Sequence, residues 1–485
     1  MNYYLGVDIG TTSVKAVAFS TKGEVLNRQQ IAYPMQHPTP DRSELDPEEI
    51  VRAVCDCINR VVAVLQTSLP VLLSFSSAMH SLLVVDALNR PLTACMIWAD
   101  NRAGAIADFL RNSEQGRAFY RSTGVPVHAM TPLCKLLWLR EAAPAIFNRA
   151  DKFIGIKEYV FLRLFSQGVV DTPIASATGL LNSKSLEWDE DILRYVGIGV
   201  DRLSRVVAPG YVFSYDGEKA ELSVRLSIPP GTLIVTGSSD GASANLSTGA
   251  TGDHIMAITI GTSGAARMIV RGAQTDGQMR TFCYHVQKNS YILGGASNNG
   301  AVVIQWLKEK LLQTEEDFGQ LFALAATVGA GSEGLLFIPY ILGERAPIWN
   351  SNARGIYFGL GISHGRPHLI RAAMEGVVYC LYSIGKVLME NKEIRELHAT
   401  GGFTRSPLWL QMLADVFNIK VLVFGEDESS ALGAVVTGLE AMGRRFSFPP
   451  PVLATYEPDA AAHAVYRKGW EQFTRLYRLV EGEFS

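Results

Sequence analysis

The stretch YYLGVDIGTTSVKAVAFSTKGEVL, residues 3–26, decides how the rest of the chain is read. An apolar run is interrupted by Asp8 and then by Gly10, Thr11, Thr12 and Ser13, and apolar alternation resumes at Val14. That pattern predicts two strands joined by a tight turn, with a second turn at Thr21-Lys22-Gly23-Glu24 leading into a third strand. A turn built from Gly, Thr, Thr and Ser gathers backbone N–H groups and hydroxyls at one point, which suits phosphate oxygens. A carboxylate just before it can hold Mg²⁺ directly or through water. The stretch is neither GxGxxG nor GxxxxGK[ST], so the dinucleotide and Walker fingerprints are absent from it.

The same pattern returns far downstream. VDIGTTSVKAVAF (7–19) is echoed by ITIGTSGAARMIV (258–270), with Thr259 where the first copy has Asp8. An echo about 250 residues on predicts two halves of related architecture, each opening with a hairpin whose turn is built alike. The halves are expected at 1–247 and 248–485, with SSDGASANL (238–246) at their junction and a shared cleft between them. Between the hairpins, Asp46-Pro47-Glu48-Glu49 is a helix start, and Ile50, Val54, Ile58, Val61 and Leu65 follow at helical spacing. Strands are expected at about 71–76 and 81–86, then a strand end, polar loop and helix over MIWADNRAGAIADFL. Hairpin strands, a helix and further strands in this order predict a mixed α/β sheet with helical cover.

Length and composition bound the function. The chain has 485 residues, enough for two or three domains, with 48% hydrophobic and 19% charged residues. Net charge is −3 with no basic stripe, which argues against nucleic acid or an anionic membrane surface as a partner. The greasiest stretch, Leu69 to Val85, contains Pro70, several serines and His80, and reads as two buried strands rather than a membrane span. Met1 runs directly into the first strand, so no signal peptide is expected. Six scattered cysteines without a CxxC predict reduced thiols and a cytoplasmic location.

Other segments carry chemistry. In VTGSSDGASANL (235–246), Asp240 precedes Gly241; such an Asp is commonly a turn residue, but its place just before the second hairpin favours a catalytic carboxylate at the cleft. GGFTRSPLWLQMLADVF (401–417) reads as a strand end, a glycine pair and a helix capped by Ser406, where bare glycines would let a flat base or ribose approach. ESSALGAVVTGLEAMG (428–443) is a small-faced helix made for packing. Trp98, Asp100 and Arg102 combine an aromatic wall, an acceptor and a fork of donors, a set that holds polyols. The bland alternative makes Trp98 core and Asp100 a helix cap.

Together with GERAPIWNSNARGIYFGL (343–360), these elements resemble the FGGY family of carbohydrate kinases over essentially the whole chain. WADNR (98–102), IGIKEYVF (154–161), TIGTSGA (259–265) and GERAPIWN (343–350) resemble most its gluconate-phosphorylating branch. The resemblance implies two actin/Hsp70-like (ribonuclease H-like) domains around a central cleft, and ATP-dependent phosphorylation of a sugar acid, D-gluconate giving 6-phosphogluconate. Xylulose or another polyol is the alternative acceptor. A nucleotide-driven structural or chaperone protein shares the scaffold but lacks a reason for Asp240 and the Trp98–Arg102 cluster.

Position by position, the resemblance implies Asp240 as base, Asp8 for Mg²⁺, and Thr11, Thr12, Ser13, Lys15 and Thr262 at the phosphates of ATP. Gly300, Gly402 and Ser406 would serve the nucleotide, and Met79, His80, Trp98, Asp100, Arg102 and Asp240 the sugar. His128 and Met130 fall in a substrate-lining stretch, while Lys157, Glu344 and Arg345 carry no derived role. Arg102 is the first candidate to read the sugar carboxylate, followed by His80 and Lys157. The expected partner is a small sugar or sugar acid, with no nucleic acid or membrane, and a homodimer is left open.

Overall fold

The computed structural model describes residues 2–66, 68–217, 225–247, 249–390, 392–425, 428–444 and 451–484. Two large sheets organise them. The first has six strands in the order 212–214, 233–239, 69–77, 2–9, 13–19 and 25–32. The second has seven, in the order 282–287, 290–297, 264–271, 255–260, 396–400, 420–424 and 452–456. Both follow one plan. An antiparallel meander opens on a strand (Asn2–Ile9 or Ile255–Ile260) that pairs in parallel with a later strand (Leu69–Ser77 or Glu396–Thr400). A further parallel strand and a short antiparallel edge strand complete each sheet.

The echoed hairpins are the matching elements, with one difference that the linear comparison hides. Ile9 pairs with Val14, which leaves four residues in the first turn, whereas Ile260 pairs with Gly264, which leaves three in the second. The returning strands are therefore offset by one residue. Arg267 occupies the place of Val17, and Ala265 that of Lys15. A one-residue slip exchanges the faces of a strand.

Two helices at the junction tie the halves together. Helix Ser429–Ala441 lies on the first sheet, where Ala431, Val435 and Leu439 join Tyr4, Val17, Phe19 and Leu72 in one buried cluster. Its small face is a requirement of that packing. A Cβ at Gly6 would lie 2.2 Å from the Ala431 carbonyl oxygen, and Ser74 donates 2.5 Å to the Ala434 carbonyl. Helix Asp240–Ser247, which ends the first half, carries Ala242 into a cluster with Ile269 of the second sheet. The two helices touch each other where a Cβ on Gly433 would sit 2.0 Å from the Ser243 carbonyl oxygen.

The outer faces are covered conventionally. Helix Pro47–Val64, capped by Asp46 through the amides of Glu48 and Glu49, covers the first sheet. Helix Arg366–Met389 covers the second; it is long and apolar enough to cross a membrane, but Val377, Val378, Leu381 and Ile384 are fully buried in the second core. Part of the chain between the strands at 69–77 and 205–207 forms an added lobe with its own core around Leu82, Met96, Leu110 and Leu133, while helix Ile156–Phe165 packs into the first core. That lobe is fastened to the second half through Cys283 N–H to the Gly124 carbonyl (2.8 Å) and Tyr120 hydroxyl to the Thr281 carbonyl (2.8 Å). All six cysteines are buried and unpaired.

The crossing of the two helices gives a direct test. Gly433→Val forces a side chain into backbone, and overpacking costs about 1–3 kcal/mol, so its melting temperature should fall by several degrees. Gly104→Ala, whose added methyl group meets nothing within 4 Å, should melt like wild type. Equal melting of the two variants would refute the tight crossing.

Candidate active site

The parallel strands of both sheets end toward the gap between the halves, the edge at which open α/β sheets place ligands. A cavity of about 320 Å³ lies there. The first half contributes Thr11, Met79, His80, Trp98, Met130 and Asp240 to its wall. The second half contributes the turn Gly261-Thr262-Ser263, then Arg267, Tyr284, Arg345 and Trp349.

Asp240 is the first residue of helix Asp240–Ser247, directly after strand Leu233–Ser239. Its Oδ1 accepts from the Gly241 amide at 2.6 Å, which fixes the carboxylate at the helix start. Burial raises its pKa, and the nearby Arg267 opposes that rise. Lys157 steadies the strand end: its Nζ donates 3.0 Å to the Ser238 carbonyl and pairs with Asp171 at 2.7 Å.

Asp8 interrupts its strand beside this group. Burial, with Asp240 second, pushes its carboxyl up to about 6, and its Oδ1 is buried without a hydrogen-bond partner. Beyond it the first turn is closed by Gly10 N–H to the Ser13 carbonyl (3.0 Å). Thr12 is exposed at the tip, Thr11 faces the cavity, and Ser13 accepts from Gln30 at 2.8 Å. Lys15 lies 3.9 Å from Glu428.

The second turn is braced from behind. Gly300 N–H donates to the Thr262 carbonyl and Ala301 N–H to that of Gly261, while a Cβ on Gly300 would lie 2.5 Å from Ser263 backbone. Gly300 therefore acts by shaping the turn. Glu344 holds this brace in place by accepting from Ser297 (2.6 Å), the Asn298 amide (2.9 Å) and the Arg345 amide (2.7 Å). Gly402 has open space where a side chain would stand, at the end of strand Glu396–Thr400. Ser406 is buried and caps helix Pro407–Phe417, accepting from the Trp409 amide.

The acceptor end corrects part of the sequence reading. Trp98 reaches the cavity, but Asp100 and Arg102 are absent from its wall. Asp100 is fully buried, accepting from the Ser43 amide at 2.8 Å and from Arg102 Nε and Nη2 at 2.8 and 2.7 Å. Arg102 also pairs with Glu44 and lies 5.1 Å over the Trp138 ring. A guanidinium so engaged braces a loop and leaves no fork for a ligand. Lys157 is committed likewise. His80 does line the cavity, in a left-handed conformation with φ 67°, but burial pushes its pKa down to about 3, so its ring is neutral. His128 lies behind the wall, its ring 5.5 Å from Trp349, while Met130 reaches the cavity.

Two cations were missed. Arg267 stands alone in the apolar run AARMIV, a charge inside a strand pattern that could have been noticed. Lys135 stands alone in PLCKLLWL; it is fully buried and clamps the carbonyls of His80 and Ile97, both at 2.7 Å, next to His80 and Trp98 on the cavity wall.

Comparison with known proteins accounts for this arrangement. The family models for the N-terminal and C-terminal domains of FGGY carbohydrate kinases match residues 3–247 and 256–442. The chain belongs to the FGGY family of carbohydrate kinases. The kinase is 41% identical to the gluconokinase of Bacillus subtilis (strain 168), over all of this chain and 97% of that one. It is 30% identical to the xylulose kinase of Lactococcus lactis subsp. lactis, over 99% of this chain and 96% of that one. The crystal structure of a gluconate kinase from Lactobacillus acidophilus matches over the full length of both chains with a TM-score of 0.94 and 33% identity. The fold is thus the two-domain, actin/Hsp70-like α/β fold of these ATP-dependent kinases.

The engagement of Arg102 makes a testable difference. Breaking a buried ion pair from one side costs about 3–5 kcal/mol, so Arg102→Met should be strongly destabilised in thermal melts. Its residual activity should fall alike for charged and uncharged acceptors. A stable variant that discriminates between them would place Arg102 at the substrate after all.

Proposed function

We propose that this kinase transfers the γ-phosphoryl group of ATP to the terminal hydroxyl of D-gluconate, giving 6-phosphogluconate and ADP. The observation that carries the acceptor is the 41% full-length identity to gluconokinase, against 30% to xylulose kinase. The cavity supports the chemistry. It sets the half-buried Asp240 carboxylate between two phosphate-type turns from opposite halves, beside an aromatic and histidine-lined wall.

A sugar hydroxyl is a weak nucleophile, and phosphoryl transfer passes through a loose transition state, so positioning and charge neutralisation dominate. Asp240 accepts the hydroxyl proton, and its rigid seat at the helix start aims it. Thr11, Thr12, Ser13 and Lys15 hold the phosphates from the first half and Thr262 from the second, on the turn that Gly300 shapes. Gly402 leaves room for the adenosine, and Ser406 sets the helix that follows it. Met79, His80 and Trp98 enclose the sugar, while Asp100 and Arg102 support the loop behind Trp98.

Asp8 fits Mg²⁺. Its orphaned, buried oxygen and raised pKa describe a carboxylate that a cation would relieve. Among the described residues no cluster of three or more ligating side chains exists. Mg²⁺ at kinase sites is commonly held by one or two carboxylates plus phosphate oxygens, so one aspartate is enough. When bound there it would neutralise charge developing on the transferred group. The buried, unpaired thiols fit a cytoplasmic enzyme.

ATP turnover measured over a panel of sugars tests the reading: it should rise sharply with gluconate, and a larger rise with xylulose would replace gluconate as the acceptor. Asp240→Asn should keep nucleotide affinity while kcat falls by about 10²–10⁴-fold, the usual size for a positioned base; a variant retaining over a tenth of wild-type kcat would remove it from the mechanism. Asp8→Asn should raise the Mg²⁺ concentration needed for nucleotide binding, read by calorimetry, and an unaltered Mg²⁺ titration would dismiss the metal assignment.

A further inference from the structure

The cavity wall carries two guanidinium groups, Arg345 and Arg267, and among the described residues neither forms an ion pair, although Asp240 lies near Arg267 and Glu344 near Arg345. Arg345 is only 7% exposed, and its guanidinium lies 4.9 Å over the Trp98 ring. Its Nη2 donates to the Ser297 carbonyl at 3.2 Å, but its Nε is buried with no partner. Burial pushes its pKa down to about 10, and Arg267 adds to the fall while Glu344 opposes it. Among the described residues, no carboxylate lies within ion-pair distance of either arginine. The neighbouring Glu344 is engaged with backbone amides and Ser297, and among the described residues Asp240 is the sole carboxylate on the cavity wall.

A buried cation without a counter-charge is expensive, and two in one enclosure repel each other. Their forks match a planar, two-oxygen anion, which each can hold through parallel N–H donors. Of the candidates offered by the sequence, Arg102 and Lys157 are already paired and His80 is neutral. We propose that Arg345, with Arg267 beside it, binds the carboxylate of the acceptor and so selects a six-carbon aldonate over a neutral polyol. This rests on the gluconate reading above and assigns the residues that enforce it. Trp98 holds the Arg345 plane from one face, and Glu344 fixes its backbone from the other side through the Arg345 amide.

Calorimetric or tryptophan-fluorescence titrations without nucleotide can test this, since Trp98 and Trp349 line the cavity. The probes are gluconate and glucitol, which has a hydroxymethyl group in place of the carboxylate. Wild type should bind gluconate more tightly. Arg345→Met should weaken gluconate by about 10- to 150-fold, the range of a lost charge-assisted hydrogen bond, while glucitol changes less than about threefold. Arg345→Lys should recover part of the loss, and Arg267→Met should shift the same ratio. Variants that lower both affinities equally, or that leave the gluconate-to-glucitol ratio at its wild-type value, would overturn the subsite. If ATP affinity fell instead, the arginines would serve phosphate. Failure of wild type to phosphorylate gluconate is a separate result and would strike the proposed function itself.

Discussion

The contact on which the active site depends is the crossing of two helices at Gly433 and Ser243. Helix Ser429–Ala441 belongs by sequence to the second half and by packing to the first sheet, and helix Asp240–Ser247 lies against it. With no side chain at Gly433, backbone meets backbone, and a Cβ would fall 2.0 Å from the Ser243 carbonyl oxygen. Helix Asp240–Ser247 begins only three residues before this contact, so the crossing also fixes where Asp240 stands. The proposed catalytic carboxylate is thereby placed by elements of both halves, which is why it can sit between turns that lie about 250 residues apart in the chain. Gly6 and Gly237 serve the same end, since each lets a neighbouring carbonyl approach within 2.2 Å of where a Cβ would be.

Buried polar atoms without partners are rare in folded proteins. Here Asp8 Oδ1, His80 Nδ1 and Arg345 Nε are among them, and all belong to one region. Around them the protein supplies complete networks: Lys135 on two carbonyls, Lys157 on Asp171 and Ser238, Glu344 on four donors from 297–299 and its own neighbour. The contrast separates two kinds of buried polar group. Those with filled hydrogen-bonding positions hold loops in place; of those with empty positions, His80 and Arg345 line the cavity and Asp8 stands beside Asp240.

Much of this was legible in the sequence because it rests on local pattern. The hairpins, the Asp46 and Ser406 caps, the packing role of 428–443 and the junction at Asp240 all follow from residues close together in the chain. What was not legible depends on register and long-range pairing. The second turn is one residue shorter than the first, so the apparent match of Ala16 with Arg267 is false, and the arginine occupies the position of Val17. Nothing in the WADNR segment reveals that Glu44, far upstream, joins Asp100 in engaging Arg102. The resemblance implies Gly300 at the nucleotide, and only its closeness to the Ser263 backbone shows that it also shapes the turn.

The scaffold alone does not choose the acceptor. This chain superimposes on the gluconate kinase and on the ligand-bound xylulose kinase of Lactobacillus acidophilus with the same TM-score, 0.94, at 33% and 34% identity. Backbone of this shape therefore serves more than one sugar, and the choice falls to a few side chains on the cavity wall. Shape is a weak discriminator between acceptors of similar length, because an extra or missing methylene group shifts binding by only about 1–3 kcal/mol. Charge is a stronger one. A site built around a buried guanidinium with an open Nε, as proposed for Arg345, leaves it unsatisfied when a neutral polyol enters, and that penalty is absent for an aldonate. Selectivity then comes as much from rejecting the neutral sugar as from attracting the acid, and it needs no change in the backbone that positions Asp240 and the phosphate turns.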